Sequence, residues 1–93
     1  MTAMHTLHIV SKPPGHTRFR ECLGMMGEQD AILLTGNAVT ALADSTVTLP
    51  DTVYALREDL RARAIEVRQD SSGQITFDDM VSLTIQAQRV ISW

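Results

Sequence analysis

The chain has a single cysteine, so no internal disulfide can brace it, and a lone thiol fits a reducing compartment. Aromatic residues make up only 4% of it, and none interleaves with basic residues as single-strand nucleic-acid binding requires. Three prolines and five glycines leave no linker-like or collagen-like stretch. No run approaches the ~18–20 apolar residues that span a bilayer. Met1 to Val10 lacks the charged start of a signal peptide, so a cytoplasmic protein without membrane contact is expected. Basic residues are outnumbered 8 to 11, for a net charge of −3. That balance excludes whole-domain attraction to nucleic acid, and no direct nucleic-acid partner is expected. Neither a Walker A run nor a GxGxxG is present, so no phosphate cradle is predicted.

What is there is an ordinary globular mixture, 44% hydrophobic and 20% charged over 93 residues. This length suits one domain, residues 1–93, able to bury roughly 64% of its extended surface.

The elements alternate along the chain. Met4 to Val10 reads as a strand that ends at the breaker Ser11-Lys12-Pro13-Pro14-Gly15. Phe19, Cys22, Leu23 and Met26 follow at helical spacing, with Thr17 as expected N-cap and Gly27 as expected stop. Ala31 to Leu34 is apolar at every position, the pattern of a strand covered on both faces in a parallel sheet. After the turn Thr35-Gly36-Asn37, Ala38 to Ala43 reads as a short helix and Asp44 to Asp51 as a loop. Thr52 to Leu56 is a third strand, and Arg57 to Ala64 a charged helix pairing Glu58 with Arg61 and Asp59 with Arg63. Arg68 to Gly73 is a polar turn and Gln74 to Phe77 a fourth strand. A helix over Met80 to Gln88 is expected, capped by Asp78 or Asp79, with Phe77, Val81 and Ile85 at four-residue spacing. Val90 to Trp93 forms the last strand. The alternation predicts a small three-layer α/β domain with a mainly parallel five-stranded sheet and right-handed crossovers. Trp93 is an apolar ring that wants a partner, so a second subunit is expected at this last strand or at an adjacent helix.

Candidate chemistry is sparse. His5 and His8 are separated by an odd number of strand positions, so they should face opposite ways and share no metal ion. Cys22 is the one soft nucleophile, and it sits on the inward stripe of its helix. Two readings stand open: a buried packing cysteine, or a reactive thiol whose thiolate Arg18, one turn earlier, would favour. Arg57, Arg61, Arg63 and Arg68 interleave with acids and read as a solvated face.

The residues resemble a known family. His5-Thr6-Leu7 before a Pro-containing turn, then Glu21-Cys22-Leu23, the strand Ala31 to Leu34, and Val53-Tyr54-Ala55-Leu56-Arg57-Glu58-Asp59-Leu60-Arg61-Ala62-Arg63 are similar to the TusB/DsrH family. So are Asp79-Met80-Val81-Ser82-Leu83-Thr84 and Ile91-Ser92-Trp93, and the order and spacing agree over essentially the whole chain.

The resemblance implies a DsrEFH-like five-stranded fold and a subunit of a hexamer with two copies each of TusB-, TusC- and TusD-like chains. It implies an accessory role in a sulfurtransferase, or persulfide relay. A TusA-like donor supplies the sulfur, and a TusE- or DsrC-like acceptor takes it. The end point is 2-thiolation of the tRNA wobble uridine, or sulfur oxidation in the Dsr branch. The main reactive cysteine is expected on the TusD/DsrE-like chain, with TusC/DsrF-like as the other partner and no cofactor. Cys22 falls where DsrH-type members carry a cysteine, which makes it a candidate auxiliary sulfur carrier with Arg18 as candidate thiolate stabiliser. The family's acidic turn after its second strand is replaced by Thr35-Gly36-Asn37, and its usual glycine after the second arginine by Ala64. A purely structural subunit, a homodimer of the isolated chain and a standalone homo-oligomer binding a small ligand at the strands' carboxyl ends are the competing expectations.

Overall fold

The computed structural model describes residues 4–66 and 73–93. The expected turn from Arg68 falls outside them, apart from Gly73.

Five strands, β1 (Thr6–Val10), β2 (Ala31–Leu34), β3 (Val53–Leu56), β4 (Gln74–Ile75) and β5 (Arg89–Ser92), form one sheet in the order β4-β3-β2-β1-β5. Every pairing is parallel. The chain therefore steps outward from β1 to β4, then returns across the sheet to place β5 on the other side of β1. Helices α1 (Thr17–Gly24) and α2 (Arg57–Ala62) and a 3-10 helix (Gly36–Ala43) make the outward connections, and α3 (Phe77–Gln86) makes the return.

This reversal gives the three layers. Alternate residues of β2 point to opposite faces, so Ile32 and Leu34 meet Phe19, Cys22, Val39 and Leu60 on one side. Ala31 and Leu33 meet Met80 and Leu83 of α3 on the other. All four β2 residues are fully buried, as a strand apolar at every position requires.

Local chemistry differs from the expected boundaries in instructive ways. His16, not Thr17, caps α1, its Nδ1 accepting from the Arg18 amide at 3.0 Å. The helix ends at Gly24, so Met25 to Gly27 lie beyond it rather than inside it. The fourth strand stops at Ile75 because Thr76 caps α3. Thr76 accepts from the Asp79 amide and Asp79 accepts from the Thr76 amide, a reciprocal capping box that starts the helix at Phe77. The segment after β2 is a 3-10 helix, and its Thr35 cap makes no side-chain bond to it.

Gly73 precedes β4 and passes so close to β3 that a Cβ there would collide with the Val53 carbonyl oxygen.

Helix α2 ends in a Schellman arrangement. The Ala64 amide donates to Arg61 O at 3.1 Å and the Ile65 amide to Leu60 O at 3.0 Å. Ile65 then packs on the same core as Leu60. The closing residue has φ +52°, and it is Ala64 where glycine would avoid the Cβ strain. Ala64→Gly is therefore expected to stabilise the chain by about 1 kcal/mol, against the usual direction of such a change. A thermal melt should show Tm raised by about 4–8 °C. A lower Tm would mean that the strain at this position is not there.

Candidate functional site

Arg18 and Cys22 lie one turn apart on α1, with the Arg18 side chain exposed and the Cys22 thiol buried. Cys22 is 0% exposed and packs beneath the helix among Val10, Phe19, Ile32 and Leu34. Burial pushes its thiol up to about 11. At neutral pH the thiolate is then on the order of one molecule in ten thousand. Arg18 stands on the exposed side, where water solvates its charge. Burial is the cause that sets the Cys22 thiol high.

The carboxyl ends of the strands, where open α/β sheets usually take ligands, are tied up by the chain itself. Thr35 Oγ1 donates to Val10 O at 3.2 Å. Gly36, at φ +51°, donates its amide to Asp59 Oδ2 at 2.8 Å. Arg63 donates from Nε and Nη2 to Asn37 Oδ1 at 3.3 and 3.0 Å and from Nη1 to Asp59 O at 3.1 Å. The Thr35-Gly36-Asn37 turn thus receives a carboxylate from α2. Arg63, read from the sequence as part of a solvated face, is a half-buried tie between α2 and this turn. Open hollows of about 320, 340 and 240 Å³ lie at the other end of the sheet, around Glu28 to Ala31 and Leu49 to Thr52.

The densest polar cluster was not predicted. His8 is 2% exposed, yet both ring nitrogens have partners. Nε2 lies 3.0 Å from Asp30 Oδ2, and the Trp93 indole Nε1–H donates to Nδ1 at 3.1 Å. Asp30 also accepts the amides of Thr6 at 3.2 Å and Gly27 at 2.9 Å. Desolvation raises the Asp30 pKa, but the hydrogen bonds from Gly27, His8 and Thr6 outweigh it and hold the carboxyl below its ordinary value. The stability this adds is present at neutral pH and is lost as pH falls through that lowered value. His5 Nδ1 comes within 3.6 Å of Asp30 Oδ1, so both histidines approach one carboxylate, contrary to the alternation argument. The physical reason is that β1 begins at Thr6, so strand geometry does not govern His5. No local pattern could have found this cluster, because His8 is 22 positions from Asp30 and 85 from Trp93.

Trp93 is correspondingly half-buried within its own domain and packs on the core. The apolar surface left open lies elsewhere. Phe77 is 63%, Val81 44% and Ile85 79% exposed, along the outer side of α3. Their four-residue spacing is real, but Met80, Leu83 and Ala87 make the stripe that packs on the sheet. Val90 of β5, 43% exposed, sits beside Leu7 on the α3 side of the sheet. Among the described residues that side has one helix to cover it, against three helical segments on the other. Among the described residues no helix is long and apolar enough to cross a membrane.

Comparison with known proteins agrees with this architecture. The family described as "DsrH like protein" matches residues 12–90. "Protein TusB" of Escherichia coli O81 (strain ED1a) is 35% identical over 97 residues, covering 97% of this chain and 99% of that protein. "Protein TusB" of Shigella dysenteriae serotype 1 is 37% identical over 98 residues, with 97% and 99% covered. The protein of that name in Klebsiella pneumoniae subsp. pneumoniae is 31% identical over 94 residues, with 94% and 99% covered. With relatives of this identity aligned from end to end and a parallel sheet of the expected kind, the chain belongs to the DsrH-like, or TusB/DsrH, family.

Proposed function

We propose that this chain is a non-catalytic subunit of a persulfide-relay complex, most directly one that serves 2-thiolation of the tRNA wobble uridine. Its partners are TusC/DsrF-like and TusD/DsrE-like chains, and the sulfur-bearing thiol is theirs. The observation that carries the reading is the open apolar stripe of Phe77, Val81 and Ile85 beside Val90. Contiguous exposed apolar surface on a small domain marks a site that a protein partner covers. The full-length likeness to proteins named TusB supports the tRNA branch over sulfur oxidation. The scaffold role rests on Cys22, whose buried, protonated sulfur cannot meet an incoming persulfide without local opening of α1.

The competing reading, with Cys22 as auxiliary carrier and Arg18 as its stabiliser, makes a different prediction for one variant. Cys22→Ser puts a hydroxyl into an apolar site, at a cost of about 1–3 kcal/mol. The complex with TusC- and TusD-like chains is nevertheless expected to form and to pass sulfur from a TusA-like donor to a TusE-like acceptor at the wild-type rate. Sulfur transfer is followed with a radiolabelled persulfide donor at a temperature where the variant is folded. A slowed rate, with a labelled Cys22 in the wild-type complex, would assign the thiol to the relay. Loss of wobble 2-thiouridine in a strain lacking this chain is the matching cellular result, and an unchanged level would favour sulfur oxidation.

A further inference from the structure

The buried side of β1 contains a titratable group that the proposed function does not use. His8 is enclosed, and its two nitrogens have partners that dictate its protonation. An indole N–H only donates, so His8 Nδ1 must be the bare, accepting nitrogen. The proton is therefore on Nε2, which donates to Asp30. Asp30 is ionised across the neutral range, since its bonds hold its carboxyl low. A second proton on His8 has only Nδ1 to occupy, and a protonated Nδ1 would confront the indole N–H with another N–H.

We infer that Trp93 is a proton-sensitive latch on the β5 edge, closed over neutral His8 and released when His8 takes up a proton at Nδ1. The geometry of the closed state is specific. The indole lies over the imidazole with ring centres 6.0 Å apart and 27° between planes. The Trp93 amide donates to Ile9 O at 2.8 Å and continues the β1–β5 pairing. Among the described residues strand β5 pairs with β1 alone, at the edge of the sheet.

The groups around His8 set the response. From the β2 approach Asp30 faces it, and behind Asp30 stands His5. From α1 the buried residues are Phe19 and the protonated Cys22, while Arg18, Arg20 and Glu21 are exposed. On β5, Ile91 is its register partner and Arg89 is exposed. The Asp30 carboxylate accepts from Nε2 in both states, so the added proton breaks the Trp93 bond and leaves the Asp30 bond in place. The inference rests on this chain's own residues and stands whether or not it assembles as proposed.

The test uses the full chain and its one tryptophan. Trp93 emission is followed from about pH 8 to about pH 4.5, beside heteronuclear NMR of the imidazoles and amide exchange of β5. His8 is expected as the Nε2–H tautomer at the start. Emission should then change in one step that overlays His8 protonation. Exchange of the Trp93 amide and of the β5 amides that point at β1, which alternate with the outward-pointing Val90 and Ser92 amides, should quicken about tenfold or more in the same step. His8→Asn keeps a non-titrating acceptor near the Nδ1 position and should abolish the step. Trp93→Phe should leave β5 exchange fast and independent of His8 protonation, which keeps the test decisive if the His8 variant does not fold. An Nδ1–H tautomer at neutral pH overturns the inference. So does a His8 that stays neutral until global unfolding, or one that protonates while emission or β5 exchange holds.

Discussion

Val81→Asp is expected to abolish co-purification with the TusC- and TusD-like chains while leaving the isolated domain folded. Val81 stands in the middle of the exposed stripe, with Phe77 one turn before it and Ile85 one turn after. A carboxylate there would be buried without a cation at the centre of an apolar contact. Charges stranded in this way at interfaces cost about 2–5 kcal/mol, so affinity should fall at least about 30-fold. The fold should tolerate the change, because the Val81 side chain lies outside the core and the helix is started by the Thr76–Asp79 box. Circular dichroism should be unchanged, with stability altered by no more than about 0.5 kcal/mol. Size-exclusion chromatography of co-expressed chains reads the effect, and Ile85→Asp should repeat it. Assembly at unaltered affinity in both variants would remove α3 as the docking face and leave the open stripe without a role.

Leu33→Ala should produce the largest loss of stability of any single change considered. Leu33 is fully buried at the centre of the sheet, on the side that α3 covers. Leu→Ala at such sites costs about 2–5 kcal/mol, made up of lost transfer free energy and the cavity left behind. A domain of this size has about 5–14 kcal/mol in all, so the variant loses at least about a seventh of it and up to nearly all. Tm should fall by about 10–30 °C. Urea unfolding should show a lower midpoint with an unchanged slope, since the same surface is exposed on unfolding. The site has little means of collapse, because Leu33 is held in register between Ile9 and Tyr54 on the neighbouring strands. A loss below about 1 kcal/mol would show that α3 settles into the gap, and that this layer packs loosely.

These two positions also mark how far the residues speak for themselves. Leu33 was legible: four successive apolar residues have no polar face, and a strand without a polar face must be covered on both sides. Val81 was legible as a helical apolar position but not as an exposed one. Helix α3 has apolar residues on two sides, and periodicity cannot say which side meets a sheet. The packing decides it, because only the side with Met80, Leu83 and Ala87 points at Leu7, Ala31 and Leu33. Cys22 shows the same divide. Its inward position followed from the spacing with Phe19, but the protonated thiol follows from complete burial, which depends on β1 and β2 beneath the helix.

By itself the sequence determined the order of elements, the parallel sheet, the internal position of Ala31 to Leu34 and, through motif order and spacing, the family. These are consequences of short-range pattern, in which each residue's apolar or turn-forming character acts within a few positions of itself. Only the tertiary structure decided that Asp30, His8 and Trp93 form one network, that Arg63 ties α2 to the Gly36–Asn37 turn, and that the outer side of α3 is left bare. The reason is the reversal that carries the chain from β4 back across to β5. It sets Trp93 beside β1 and, among the described residues, leaves one helix on one face of the sheet against three helical segments on the other.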